Sequence, residues 1–233
     1  MKSKLHHKIF FWFFLISVIY TANISCAKTN DVQPIENNID TTSTTIADDT
    51  VYINSTTSGF ILNEVLYDPP SGLAGDANND GTRDPNQDEF VEFINNSSSC
   101  IDISGCKIYD RSNLTSGIPN HQFPNNTFVN PNQSVIVFGG GTAVGQFGGG
   151  LVFISSNVVM NLNNGSSNSA GDLMTFTDSL GDILIEFDID PLSNSPDESY
   201  TRSPDITGDF MQHNSVNPGT LFSPGTKTDG SNF

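Results

Sequence analysis

Basic residues are scarce in this sequence. Nine lysines and arginines stand against 26 aspartates and glutamates, which gives a formal net charge of −17. Nucleic-acid binding relies on basic side chains that neutralise phosphates, so this composition argues against a nucleic-acid partner. The excess of carboxylates favours solubility and supplies many oxygen ligands for cations.

Residues that typically build catalytic sites are also few. Beyond the N-terminal segment the only histidines are His121 and His213, and neither lies in an HExxH pattern. His121 precedes the start of a Phe-Pro strand and is expected in a turn or at the surface. The sequence has no Gly-x-Ser-x-Gly elbow. The glycine-rich residues 139–150 lack the Gly-Lys-Ser/Thr ending of a phosphate loop, so we expect a flexible, exposed loop there.

One apolar run, residues 9–20, follows a basic N-terminus. The run is too short to span a bilayer comfortably and is typical of a secretory signal peptide, with an uncleaved membrane anchor as the alternative. Residues 23–26 resemble a bacterial lipobox, although Asn23 stands where an aliphatic residue is usual. We therefore predict a signal peptide over residues 1–25 and a lipid on Cys26. The chain would then be a bacterial lipoprotein, exported to the outer membrane or cell surface.

Residues 26–58 consist mostly of Thr, Asn, Ser and Asp, with few large apolar side chains. Such a segment cannot bury enough apolar surface to offset the entropy lost when it becomes ordered. The sequence predicts a disordered tether here, which would hold the folded domain, residues 59–233, away from the membrane.

From residue 59 onward, short runs of Val, Ile, Leu and Phe are separated by turn residues. No segment shows a sustained helical period, and 20 glycines and 12 prolines argue against helices. We predict an all-β fold, an antiparallel sandwich or barrel. One expected hairpin joins residues 173–177 to 183–187, with alternate apolar side chains such as Phe176 and Ile183 facing inward. The predicted strands are 60–67, 89–95, 106–110, 128–129, 134–138, 151–154, 173–178, 183–188 and 199–202.

An acidic stretch between two of the strongest strand candidates matches the first half of an EF-hand-type calcium loop. In residues 76–82 (DANNDGT) oxygen-bearing side chains recur at every second position, and Gly81 permits a sharp turn. The full motif has an acid at its twelfth position, which is Gln87 here, so we expect Asp88 to close the shell. A solvated acidic turn without an ion is the alternative. The predicted ligands of a structural calcium ion are Asp76, Asn78, Asp80, Thr82, Asp84 and Asp88.

Cys100 and Cys106 are the only cysteines in the predicted folded domain. They flank a Ser-Gly turn, and export would allow their oxidation, so we predict a disulfide between them. Two separate thiols are the alternative. With Cys26 lipidated, a Cys100–Cys106 pair would account for all three cysteines.

The order of the motifs resembles the lamin tail domain family. Residues 61–65 (ILNEV) are similar to its opening strand, residues 88–95 (DEFVEFIN) to its EFVEL-N strand, and residues 101–105 (IDISG) to its DLSG turn. Residues 171–182 resemble its later GD hairpin. The sequence departs at Cys106, where the family usually has tryptophan. The resemblance implies an immunoglobulin-like β-sandwich that binds or scaffolds rather than catalyses.

Two functions follow from these patterns. The first is a monomeric, non-catalytic, lipid-anchored binding, adhesion or scaffold module, stabilised by calcium and directed at an unknown glycan or protein. The second is a metal-dependent extracytoplasmic hydrolase, or an accessory module of one, with the acidic loop as its active site. A hydrolase would also need a base and charge-stabilising groups, so the first function is preferred.

Overall fold

A computed structural model describes residues 50–52, 59–157, 159–165 and 169–233 of the chain. The predicted signal peptide, Cys26 and most of the predicted tether lie outside these residues. Within the tether, Thr50–Tyr52 forms a short strand, β1, that pairs in parallel with residues 100–102 of the domain. The other residues of the predicted tether, 26–49 and 53–58, lie outside the described part of the chain, so its disorder stays a prediction.

The rest of the described chain consists mainly of short strands, as predicted. Every predicted strand is found, with each boundary displaced by one residue at most, and strands at 100–102, 121–122 and 209–212 are additional. The strands are β2 (Phe60–Leu66), β3 (Phe90–Asn95), β4 (Cys100–Asp102), β5 (Lys107–Tyr109), β6 (His121–Gln122), β7 (Phe128–Val129), β8 (Ser134–Phe138), β9 (Leu151–Ile154), β10 (Leu173–Thr177), β11 (Ile183–Asp188), β12 (Tyr200–Ser203) and β13 (Asp209–Gln212).

Two short helices differ from the sequence expectation: α1 (Arg111–Ser116) and α2 (His213–Val216). Helix α1 is capped at its N-terminus by Asp110, whose side chain accepts a hydrogen bond from the Asn113 N–H at 2.6 Å. It ends at Gly117, whose φ of 74° suits glycine. The N-cap Asp110 and the C-cap Gly117 account for this short helix, which the sequence does not indicate by a helical period of apolar residues. Among the described residues, no helix is long and apolar enough to cross a bilayer.

The strands form three sheets that pack as two layers. The largest has the order β13-β12-β2-β3-β8-β9, the second β11-β10-β5-β6, and the third β1-β4-β7. Most pairs are antiparallel, as predicted, but β8 and β9 run parallel, as do β1 and β4. The glycine-rich stretch between β8 and β9 is long enough to bring the chain back to the end of the sheet at which β8 begins. Strand β9 can therefore run parallel to β8.

The largest sheet is covered on both faces. Its inner face shares one apolar core with the two smaller sheets, and residues such as Phe93 and Phe176 are fully buried there. Its outer face carries a second cluster around Phe90 and Phe138, against which Phe147 and Phe222 pack. Strands β3 and β8 are buried along their whole length, as expected for strands covered on both faces.

The predicted hairpin is present as β10 and β11, which pair antiparallel. Met174 and Phe176 on β10 and Phe187 on β11 are buried, as predicted. Ile183 differs, because it is the first residue of β11, next to the hairpin turn, and 51% of its surface is exposed. The inward alternation therefore applies to the body of the hairpin and not to its tip.

The predicted Cys100–Cys106 disulfide is wrong, because Cys106 is a free, buried thiol. The Ser-Gly turn between the two cysteines does not form a hairpin that would bring them together. Cys100 lies in β4, which pairs with β1 and β7, whereas the Cys106 carbonyl accepts from the Phe123 N–H at 3.0 Å. Cys106 thus belongs to the core between the layers. The count of three cysteines therefore no longer supports lipidation of Cys26, because that support assumed that Cys100 and Cys106 pair with each other.

The burial of Cys106 predicts that its thiol is protected from alkylation in the folded protein. Burial raises the pKa of the Cys106 thiol to about 12, and the charges of Asp178 and Asp102 add to the effect. Since the thiolate is the reactive form, iodoacetamide at mildly alkaline pH should label Cys106 only after unfolding. Peptide mass mapping of native and unfolded samples measures this. A linked Cys100–Cys106 peptide, or equal labelling in both samples, would contradict it.

Candidate functional site

The acidic loop predicted to bind calcium connects β2 to β3 along one end of the largest sheet. Its first turn is folded by its own side chains. Asp76 Oδ2 accepts from the Gly81 N–H at 2.9 Å, and Asn78 Oδ1 accepts from the Asp80 N–H at 2.9 Å. Asp80 Oδ1 accepts from the Thr82 N–H, also at 2.9 Å. The loop thus winds around the oxygens of three predicted ligands, as the sequence spacing suggests.

One oxygen of this loop has no partner. Asp76 Oδ1 is buried and accepts no hydrogen bond from any residue that the structure describes. A buried carboxylate oxygen without a donor is costly, and an ion is one way to satisfy it. Asp76 Oδ1 is therefore the atom of the loop that most favours a bound cation.

Asp88, the predicted closing ligand, has three backbone donors. Its Oδ1 accepts from the N–H groups of Ala77 and Asn78 at 2.9 and 3.1 Å, and its Oδ2 accepts from the Asp84 N–H at 2.7 Å. Burial raises the pKa of Asp88, and these hydrogen bonds oppose the rise. Asp88 closes the loop by hydrogen bonding, a role that the sequence did not reveal.

The two remaining predicted ligands are placed less favourably. Thr82 is exposed. Asp84 uses Oδ1 to accept from the N–H groups of Asn86 and Gln87 at 2.9 and 3.0 Å. In the part of the chain that the structure describes, no three His, Cys, Asp or Glu side chains are grouped so that they could hold a metal ion. A calcium shell here would therefore include amide and backbone carbonyl oxygens and water, which calcium accepts.

The glycine-rich stretch after β8 packs against the acidic loop instead of extending freely into solvent. The Gly140 N–H donates to the Gln87 carbonyl at 3.1 Å, and the Val144 N–H donates to the Asn78 carbonyl at 2.8 Å. A Cβ on Gly141 would lie 2.8 Å from Asp80 Oδ2 and 2.9 Å from Gln87 Oε1. The φ of 72° at Gly141 also favours glycine. The expectation of a wholly exposed loop is wrong, because Gly139 and Gly140 are buried.

Two carboxyl groups to which the sequence assigned no role lie at the centre of the largest sheet. Glu64 on β2 and Glu92 on β3 are directly opposite in the antiparallel register, and both are fully buried. Glu64 Oε1 accepts from Ser199 Oγ at 2.6 Å and from the Ser223 N–H at 2.9 Å. Glu92 accepts from Asn63 Nδ2 at 3.0 Å and from the Gly225 N–H. All of these donors are hydroxyl, amide or backbone groups.

Burial raises the pKa of Glu64 to about 7, and Ser199 and Ser223 only partly offset this effect. Burial also raises the pKa of Glu92 well above its ordinary value, and the nearby Glu64 raises it further. The pair is thus expected to retain at least one proton near neutral pH. The pair holds the C-terminal segment in place, because Ser223 and Gly225 both belong to it.

The lamin tail domain matches residues 53–186, more than half of the chain. The chain belongs to the lamin tail domain family. Nothing among curated proteins matches it. The immunoglobulin-like β-sandwich expected from the resemblance is confirmed by the family and by the layered sheets.

The two histidines of this lamin tail domain are both buried. His121 lies in β6 with 2% of its surface exposed, and its ring packs edge-on against Phe123 at 4.6 Å. The expectation of a turn or surface position is wrong because this strand faces the core. Neither ring nitrogen has a hydrogen-bond partner of good geometry, and burial lowers the pKa of His121 to about 4. His213 is held by Ser223 Oγ at 3.0 Å and Thr220 Oγ1 at 3.0 Å.

A cleft of about 610 Å³ lies between α1 and the residues before β10. Its polar groups are mostly engaged with one another. The Arg111 N–H donates to Asp172 Oδ1 at 2.8 Å, and Arg111 Nη2 donates to the Gly171 carbonyl at 3.2 Å. Thr115 Oγ1 donates to the Arg111 carbonyl at 3.1 Å. We therefore assign no ligand to this cleft.

The Glu64–Glu92 pair predicts that Glu64→Gln changes how the lamin tail domain responds to pH. Between about 4.5, the ordinary pKa of Glu64, and about 7, its folded pKa, the unfolded chain releases a proton that the folded chain retains. The free energy of unfolding contributed by Glu64 therefore falls as pH rises through this window, by roughly 1.4 kcal/mol per pKa unit at most. Glu64→Gln removes this loss, so its melting temperature relative to wild type should rise by several degrees from pH 5 to pH 8.

Each variant must be compared with wild type, because His121 and His213 also make the stability depend on pH. Burial lowers their pKa values, so their contribution to the free energy of unfolding decreases as pH falls, opposite to that of Glu64. Glu186→Gln, at an exposed position on β11, is the matched control and should show no such trend. Thermal unfolding followed by circular dichroism measures all three proteins. Parallel curves for Glu64→Gln and wild type would show that Glu64 is not protonated in the folded state.

Proposed function

We propose that this lamin tail domain is a non-catalytic binding, adhesion or scaffold module that calcium stabilises. Family membership supports a sandwich that presents surfaces and loops to a partner, although a fold alone does not determine a function. The burial of His121 and His213 supports a non-catalytic role, because neither ring is placed to act as a general base on a substrate. The ligand would be a protein or a glycan, and the module would act as a monomer.

The observation that carries the calcium proposal is the unpartnered Asp76 Oδ1 in a loop already wound around its own oxygens. A Cβ on Gly141 would lie 2.6 Å from Asn78 Nδ2, 2.8 Å from Asp80 Oδ2 and 2.9 Å from Gln87 Oε1, so the side chain of Gln87, at the motif's twelfth position, lies near Asp80. The ion would neutralise Asp76 and Asp80 and fix the loop to the glycine-rich stretch. Its role would be structural, as is usual for calcium in extracellular modules.

The first test of this proposal is the effect of calcium on stability. An ion that binds only the folded state adds about 2.7 kcal/mol at a hundredfold excess over Kd, and chelation should lower the melting temperature by about 5–10 °C. Asp80→Asn keeps the acceptor for the Thr82 N–H but removes the charge, so it should abolish most of the calcium response. Asp182→Asn, which removes an exposed charge outside the loop, should respond as wild type does.

Magnesium should substitute poorly, because it demands a tighter octahedral shell and retains its waters. Differential scanning calorimetry in EDTA, calcium and magnesium makes the comparison. Identical melting curves in EDTA and in millimolar calcium would reduce the loop to an acidic turn without an ion.

We further propose that the module is anchored by a lipid on Cys26 and displayed at the outer membrane or surface of a bacterium. The support is the order of the sequence: a basic start, a short apolar run, a lipobox-like Asn23–Cys26 segment and a polar stretch before the domain. The short anchor and long polar stretch would place the domain away from the membrane, where it could meet a partner.

The lipid anchor is tested by mass spectrometry of the N-terminal peptide from membrane fractions. We expect Cys26 to be the first residue and to carry the mass of a diacylglyceryl group, and Cys26→Ser should release the protein from the membrane. Detection of Cys26 in a disulfide with Cys100, or a wild-type protein cleaved elsewhere and recovered in the soluble fraction, would overturn the anchor.

A further inference from the structure

Strand β11 lies at the edge of its sheet and is open on one side. In the order β11-β10-β5-β6 it pairs only with β10 among the described residues. Natural proteins usually protect such edges with charged side chains, especially lysine, with proline or with a covering segment, and a charged edge still accepts a strand of opposite charge. The sequence of β11, ILIEFD, contains neither lysine nor proline. At its start the side chains of Leu180 and Ile183 are 88% and 51% exposed.

The exposed charges along β11 all have one sign. Glu186 and Asp188 are two residues apart, so they lie on the same face of the strand, and both are exposed. Asp182 adds a third exposed carboxylate just before the strand. The guanidinium of Arg111 lies 3.9 Å from Asp188, but both side chains are more than half exposed, so this ion pair is weak. The edge therefore combines a backbone side that no described strand pairs with, exposed aliphatic side chains and negative charge.

These charges decide between the occupants that an open edge can accept. A second copy of β11 would bring Glu186 and Asp188 close to their own equivalents, within a chain whose net charge is already −17. Residues 27–49 of this chain, rich in Asp and poor in basic residues, would be repelled in the same way. A segment with lysine or arginine at alternate positions would instead pair with the carboxylates while its backbone extends the sheet.

We propose that β11 binds an extended basic segment of another protein by strand addition. The inference rests on the proposed binding function and names its partner class: a strand that alternates basic and apolar side chains. Backbone hydrogen bonds to β11 supply affinity, Glu186 and Asp188 select basic side chains, and Leu180 and Ile183 contact the apolar ones. Edge strand β13 is a weaker choice, because it is shorter and carries one acidic residue, Asp209.

The test uses the exported full-length protein and a synthetic peptide of about ten residues that alternates valine and lysine, with a valine–glutamate peptide as control. Nuclear magnetic resonance should show shifts and slowed hydrogen exchange for the amides of residues 183–188. Fluorescence titration of labelled peptide gives Kd, which should rise with salt because the carboxylates contribute.

Two variants and their matched controls locate the site. Ile183→Lys and Glu186→Lys should each weaken peptide binding about tenfold, because each places a like charge beside the peptide. Met211→Lys and Asp209→Lys, the corresponding changes at partly or fully exposed positions on β13, should leave binding unchanged, and melting temperatures confirm that all four variants fold.

The proposal is overturned if neither peptide binds, if the glutamate peptide binds equally well, or if the β13 variants lose binding while the β11 variants keep it. Gain of binding only after deletion of residues 27–49 would identify that segment as the occupant and would also overturn it. The proposed function is separable from these outcomes. A calcium response and binding to another protein or a glycan elsewhere on the domain would leave the function standing while this inference fails.

Discussion

Glu64 and Glu92 face each other at the centre of the largest sheet, and both are fully buried. Burying an ionised carboxylate without a counter-charge costs roughly several kcal/mol even after relaxation. The domain reduces this cost through raised pKa values and through donors brought in from the C-terminal segment. Ser223 and Gly225 provide those donors, and the neighbouring Phe222 packs against Phe90 on the same face. The polar pair and the apolar cluster therefore depend on the same covering segment.

That covering segment also meets the glycine-rich stretch. A Cβ on Gly148 would lie 1.9 Å from the Gly225 carbonyl oxygen, so the two backbones touch and leave no room for a side chain. From this contact the glycine-rich stretch runs back to the acidic loop, where Gly141 fits beside Asp80. The acidic loop, the glycine-rich stretch and the C-terminal segment form one continuous cover over the outer face. An ion that fixes the acidic loop would consequently stabilise all three covering segments, which shield Glu64 and Glu92 from solvent.

Much of this architecture could be predicted from local sequence, and the predictions that were wrong have a common cause. Strand positions such as Phe128–Val129 and Ser134–Phe138 depend on neighbouring residues and were predicted to the residue. The Cys100–Cys106 bridge and the inward face of Ile183 failed, because each depends on which distant strand lies opposite. In the candidate site, the turn at Asp76–Gly81 follows from spacing, whereas the hydrogen-bonding role of Asp88 depends on where the loop ends meet.

The burial of Glu64 and Glu92 could have been predicted from the sequence. Strands β2 and β3 are apolar at both odd and even positions apart from a few polar residues, a pattern that indicates burial on both faces. A glutamate inside such a strand must then be buried, and a buried carboxyl group must find donors or keep its proton. What the sequence could not supply is the identity of those donors, because Ser199 and Ser223 lie more than a hundred residues away in the chain.

The position of those donors also shows how far the folding unit extends. The family match ends at residue 186, inside β11, yet the donors to Glu64 and Glu92 from Ser199, Ser223 and Gly225 come from beyond it. Strand β12, also beyond the match, pairs directly with β2. A chain cut at the family boundary would keep both buried carboxyl groups and lose the hydroxyl and backbone groups that satisfy them. The physical domain is therefore set by the requirements of its buried acids, which reach into the C-terminal segment.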